Sequence, residues 1–153
     1  MEKYDAQKAA RVWQRVQAEQ PRSATAVELQ EMIEEEWLDG SVYAQLARQF
    51  QGPIREKLQK MAKDEQTHGA CLKGIYTLTT GGHPAMKPRQ IPPESPQIIL
   101  RRCYGREMRS LARYEAKSGD PQYGQVFRRL AEQEREHCKM ILELLGSMPM
   151  IKK

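Results

Sequence analysis

The sequence predicts an all-α protein: a four-helix bundle with one long crossover connection and an extra N-terminal helix. Three observations carry this. A pattern of Glu…Tyr followed by Glu-x-x-His occurs twice, as Glu36…Tyr43 with Glu65-x-x-His68 and as Glu107…Tyr114 with Glu134-x-x-His137. Apolar residues around each motif recur in alternating steps of four and three, the rhythm of a helix face turned into a bundle. A gap rich in proline and glycine separates the two halves.

Residues 1–22 form the first unit. Ala9, Val12, Trp13 and Val16 make one apolar stripe of a short helix from Tyr4 to about Glu19, broken by Gln20-Pro21-Arg22-Ser23. The bundle is expected over 23–147. Its first helix starts near Thr25, which has Glu28 three residues on in a capping-box pattern. Its seam is Leu29, Ile33, Glu36, Gly40, Tyr43, Ala47 and Phe50, and Gly52-Pro53 ends it. Trp37 falls off this seam and is expected to pack between helices. The next seam is Ile54, Leu58, Met61, Glu65, His68, Leu72 and Ile75, closed by Thr80-Gly81-Gly82-His83-Pro84. His83 is expected to be exposed.

Residues from about 80 to 95 include Pro84, Pro88, Pro92 and Pro93. So long a connection without its own helix needs a reason. A crossover along the bundle supplies one if the two helix pairs are related by a pseudo-twofold axis. A further helix begins near Ser95-Pro96 with the seam Ile99 or Leu100, Cys103, Glu107, Leu111 and Tyr114. Lys117-Ser118-Gly119-Asp120-Pro121 stops it. The last seam is Tyr123, Phe127, Leu130, Glu134, His137, Ile141 and Leu144, ending at Gly146. Residues 148–153 are expected to be a frayed or lightly docked tail.

Composition bounds the function. The chain has 153 residues, 39% hydrophobic and 29% charged, enough for one core with solvated outer helix faces. No run of 18 apolar residues exists, which argues against a membrane span. The start, Met1-Glu2-Lys3-Tyr4-Asp5, has no apolar signal segment, so a cytoplasmic protein is expected. Net charge is +5, but pairs such as Arg101-Arg102 and Arg128-Arg129 are mixed with acids along helices, and no nucleic-acid partner is expected. Cys71, Cys103 and Cys138 form no Cys-x-x-Cys pair, so reduced, partly buried thiols are expected.

One Glu-x-x-His on a helix means little. A glutamate in the core slot of a seam differs, because a buried carboxylate without a partner costs several kcal/mol, roughly. Here Glu36, Glu65, Glu107 and Glu134 all occupy such slots, with no lysine or arginine on any seam. A structural polar network is one reading; metal ligation by these four with His68 and His137 is the stronger. Four carboxylates match two divalent cations in charge. The oxygen-rich set with two imidazoles suits iron, or alternatively manganese or a mixed pair, better than structural zinc, magnesium or calcium. Tyr43 and Tyr114 either fill core or donate hydrogen bonds to a ligand carboxylate of the facing helix. Without metal, all four glutamates are expected to have raised pKa values, through burial and mutual repulsion.

These motifs, with Arg135-Glu136-His137 following Glu134, resemble the ferritin-like di-iron domain of the rubrerythrin family over residues 25 to 146. The resemblance implies a ferritin-like four-helix bundle with two iron ions that reduces hydrogen peroxide or reacts with dioxygen. It also implies a homodimer. There are two departures. The paired Cys-x-x-Cys motifs of the family's rubredoxin-like module do not occur in this sequence, so either an external electron-donor protein is expected or the chain is not a peroxidase. The extra glutamate expected one turn from Glu107 is absent, since those positions hold Tyr104 and Ser110. Ferroxidase or iron-handling activity, or a metal-binding scaffold without turnover, are the competing readings.

Overall fold

A computed structural model describes residues 5–11, 23–87 and 89–149, and the secondary structure of these residues is helical, with no strand among them. Residues 6–11 are helical, and the Asp5 carboxylate accepts from the Gln7 and Lys8 amides at 3.0 and 3.1 Å. Tyr4, the expected start of the N-terminal helix, and Val12, Trp13 and Val16 of its stripe lie outside the described residues, as do 150–153.

Four long helices follow: α1 (Ala26–Ala47), α2 (Gly52–Thr80), α3 (Pro96–Ala116) and α4 (Gly124–Ser147). Each starts where local chemistry favours a start. Thr25 caps α1 and Glu28 reaches back to the Thr25 amide, completing the capping box. Gly52 takes φ +64 and Pro53 follows it in the first turn of α2. Ser95 caps α3 ahead of Pro96. Asp120 accepts from the Gln122 and Tyr123 amides at the entry to α4 and also from the Ala24 amide, tying the starts of α1 and α4 together. At the far end of α2, Gly81 adopts φ +77, a left-handed stop that glycine takes at little cost.

Helix α1 packs along α2 and α3 along α4; the two pairs meet α1 against α3 and α2 against α4. Tyr43 of α1 bonds Glu107 of α3, and Tyr114 of α3 bonds Glu36 of α1. Each tyrosine lies two turns beyond its own glutamate, so α1 and α3 run antiparallel. Since α1 and α2 form a hairpin, α2 and α3 run the same way, and the chain must return the length of the bundle between them. Helix α3, with 21 residues, is about 30 Å long, a distance that a connection of the length of 81–95 can span. Met86 packs against the apolar cluster at one end and Ile91 against the cluster at the other.

The seams are buried nearly as expected, with local differences. Phe50 is only half-buried and lies beyond α1, which stops at Ala47. Ser110, rather than Leu111, is the buried residue one turn after Glu107. Trp37 is 38% exposed rather than packed between helices. His83 is exposed. Met148 is buried against the first cluster, and Gln97 donates to the Pro149 carbonyl, so the described start of the tail is docked. No helix among the described residues is long and apolar enough to cross a membrane.

Candidate metal centre

Two apolar clusters fill the ends of the bundle. Val42, Leu58, Leu100 and Ile141 belong to one, and Leu29, Leu72, Phe127 and Leu130 to the other. The polar residues of the seams fall between them. Glu36, Glu65, His68, Glu107, Glu134 and His137 are all at most 2% exposed. Helix periodicity explains the convergence: Glu65 and His68 are three apart on α2, Glu134 and His137 three apart on α4, and each pair shares a face.

Their ligand atoms form two groups. Glu36, Glu65, His68 and Glu134 offer atoms within 4.8 Å of one another, and so do Glu65, Glu107, Glu134 and His137. Glu65 and Glu134 belong to both groups; Glu36 with His68, and Glu107 with His137, belong to one each. Ligands on opposite sides of a small cation held at about 2.1 Å lie roughly 4 Å apart, so each group could hold a metal ion.

Hydrogen bonding gives an independent test of that fit. Among the described residues, the buried side-chain nitrogens and oxygens without a partner are Glu36 Oε2, both Glu65 oxygens, Glu107 Oε2, Glu134 Oε2 and His137 Nδ1. All belong to this cluster. Buried polar atoms are nearly always satisfied, and a set of orphans converging on one point is a place that could hold a cation. His137 Nδ1 approaches Glu65 Oε1 at 2.5 Å without hydrogen-bond alignment, which leaves both atoms available to a third.

The surrounding residues fix these ligands. Tyr43 donates to Glu107 Oε1 at 2.7 Å, and Tyr114 donates to Glu36 Oε1. Both phenols therefore bond a carboxylate of the facing helix, the functional alternative of the sequence reading. His137 Nε2 bonds Asp64 Oδ2 at 2.9 Å, and His68 Nε2 meets Gln133 Oε1. Each imidazole thus presents Nδ1 to the centre. His68 Nδ1 lies 3.0 Å from Glu134 Oε1 and 3.4 Å from Glu36 Oε2. His137 Nδ1 lies 3.4 Å from Glu107 Oε1.

Sequence reasoning passed over Asp64 and Gln133. A signal was present: each directly precedes the glutamate of a Glu-x-x-His motif, and each holds the histidine of the other motif. Asp39, one turn after Glu36, was also missed. It is 1% exposed and takes a 2.6 Å ion pair from Arg106 Nε.

The acids do not titrate alike. Burial, then the charges and contacts of Glu36, Glu107 and Asp39, hold the Glu65 pKa well above the usual carboxylate range. Burial and the charge of Glu107 raise Asp39 in the same sense, against the opposing pull of Arg106. Glu36 goes the other way, contrary to the expectation of four raised carboxylates. Burial pushes it up, but contacts with Glu65, with His68 and with the Tyr114 hydroxyl outweigh burial and lower it. Burial depresses both histidines, yet His68 rises through Glu36 and Gln133, and His137 through Glu107 and Asp64. Burial and nearby acids lift both tyrosines well above their ordinary value, so they remain hydrogen-bond donors.

Cys103 and Cys138 are buried, with thiols pushed up by burial to about 12 and about 11; Cys71 is exposed. Among the described residues these are free thiols, outside the cluster.

The fold and site together define an all-helical bundle with a buried glutamate–histidine cluster that could hold metal. No protein-family model, curated protein or solved structure matches this chain.

Proposed function

We propose that the protein is a ferritin-like, di-iron oxidoreductase of rubrerythrin type, reacting with hydrogen peroxide or dioxygen at a four-glutamate, two-histidine centre. The observation that carries this reading is the sharing of Glu65 and Glu134 between two ligand groups, each completed by one glutamate and one histidine. Shared carboxylates suit two ions held close together. Four carboxylates balance two divalent cations, and the imidazoles favour iron, with manganese the alternative.

Two iron ions would supply two electrons to a bound oxidant and accept them again from a donor. The residues of the chain do the rest. Glu36 and Glu107 complete one site each, held in place by Tyr114 and Tyr43. His68 and His137 each offer Nδ1, oriented by Gln133 and Asp64. Asp64 is an acid and Gln133 a neutral amide, so the two sites are inequivalent, and the anionic partner makes His137 the stronger donor. Electrons come from a separate donor protein, and the chain acts as a homodimer.

Ferrous iron oxidation by dioxygen is the second reading. Tyr104 packs its half-buried side chain against an apolar cluster, and Ser110 is buried, so neither position adjoining Glu107 supplies a further carboxylate. Stopped-flow absorbance of the ferrous protein separates the two. Faster oxidation by hydrogen peroxide than by air supports peroxide reduction. Faster reaction with dioxygen, with ferric product leaving the protein, supports iron oxidation, and no reaction with either contradicts both.

A further inference from the structure

The two halves repeat in their ligands but not in what lies outside them. Between α1 and α2 a cleft of about 340 Å³ reaches the cluster; Glu36 and Glu65 form its inner wall. Small residues open it. Gly40 and Gly69 each lie four residues after a ligand glutamate, with Ser41, Ala44 and Ala70 beside them. A Cβ on Gly40 would come 3.3 Å from Glu65 Cβ, while one on Gly69 would sit 3.8 Å from Glu36 Cβ.

The equivalent positions of the other half are filled. Leu111 stands where Gly40 does, Cys138 where Gly69 does, and Lys139 where Ala70 does. Leu111 packs against an apolar cluster, Cys138 Sγ meets Met108 Sδ at 3.6 Å, and Lys139 pairs with Glu136. The small residues are therefore a feature of one face and not of the repeat.

Glu36 Oε2 and both Glu65 oxygens are buried, lack hydrogen-bond partners and belong to residues lining the cleft. Its rim carries Trp37, 38% exposed, and the exposed Lys73. A water or peroxide needs about 30 Å³, whereas pockets for small organic ligands start near 300 Å³, roughly. Trp37 and Ile33 offer apolar surface, and Lys73 is the one cationic side chain in the lining.

We propose that the α1–α2 cleft binds a small organic anion with an apolar body, seated against the Glu36 and Glu65 wall of the centre. The body lies over Gly40 and Gly69 beside Trp37, and its anionic group meets Lys73. The inference deepens the proposed function by adding an organic ligand to the same centre, and it rests on that reading.

Sodium benzoate is the probe. Trp13→Phe leaves Trp37 as the only tryptophan, and its emission reports binding to the metal-loaded protein. A saturable change is expected, about three- to fivefold weaker with neutral benzyl alcohol or in Lys73→Met, the size of a partly solvated ion pair. Gly69→Ala should keep binding and Gly69→Leu should abolish it. If Gly69→Leu loses helix content or metal, Ala70→Phe blocks the outer part of the cleft without touching a ligand. Absence of a saturable change, or binding that survives a folded blocking variant, overturns the proposal. Metal content of the same samples separates the failures: two metals without benzoate binding refutes the cleft alone, and benzoate binding without metal refutes the di-iron reading.

Discussion

Glu65→Gln should stabilise the metal-free protein at pH 8 and leave it nearly unchanged at pH 5. Glu65 is 1% exposed, and neither of its oxygens has a hydrogen-bond partner. Burial and the neighbouring acids Glu36, Glu107 and Asp39 raise its pKa well above 4.5. A group with a raised folded pKa adds stability that is full below the unfolded pKa and is lost as pH climbs through the folded one. Glutamine copies the protonated acid in volume and neutrality, so the variant keeps what the wild type loses. Leaving a buried polar group unsatisfied costs about 1–3 kcal/mol, more when it is charged. For a chain of this size that corresponds to a melting point higher by roughly 2–10 °C at pH 8. His68 and His137, also raised, lose stability with rising pH in both proteins and largely cancel in the comparison. Glu36, lowered, acts only as pH falls through its folded pKa. Thermal melts of metal-stripped proteins, followed by circular dichroism at both pH values, test this. A variant that melts lower at pH 8, or a difference that does not grow with pH, refutes the shared buried site.

Removing the Tyr114 hydroxyl strips the donor from Glu36 Oε1; Tyr114→Phe should cost about 1–3 kcal/mol in denaturant melts, and Tyr43→Phe should act similarly through Glu107. Asp64→Ala frees His137 Nε2 and should weaken metal binding about 10- to 100-fold in chelator competition. Gln133→Ala, which removes a neutral partner of His68, should do less. Iodoacetamide at pH 7.5 should label one thiol per folded chain, Cys71, because burial holds Cys103 and Cys138 as neutral thiols; mass spectrometry after digestion identifies the site.

Helix phase was legible because seam residues three and four apart must face one core, and every predicted ligand lies on such a seam. The crossover was legible in the proline-rich 81–95 segment. Titration was not, because it depends on which carboxylate keeps a proton. Contacts with Glu65, His68 and Tyr114 reverse the sign expected for Glu36, and no seam pattern encodes that. Ser110 and Leu111 compete for one turn of α3, and a rotation of that helix smaller than one residue decides between them. Asp64 and Gln133 lie off their own seams and act across the α2–α4 interface, where only tertiary packing brings them to a histidine. Trp37 lines the cleft beside Gly40 and Gly69 and stays partly exposed, which no seam pattern encodes.

Metal stoichiometry bears most directly on the central claim. Protein reconstituted anaerobically with ferrous iron, desalted and analysed for elements should hold two iron ions per chain, and Glu65→Gln/Glu134→Gln protein should hold fewer than one while keeping its helix content. Less than one iron per wild-type chain with the helices intact, or full loading of the double variant, would contradict a centre built on Glu65 and Glu134 as shared ligands.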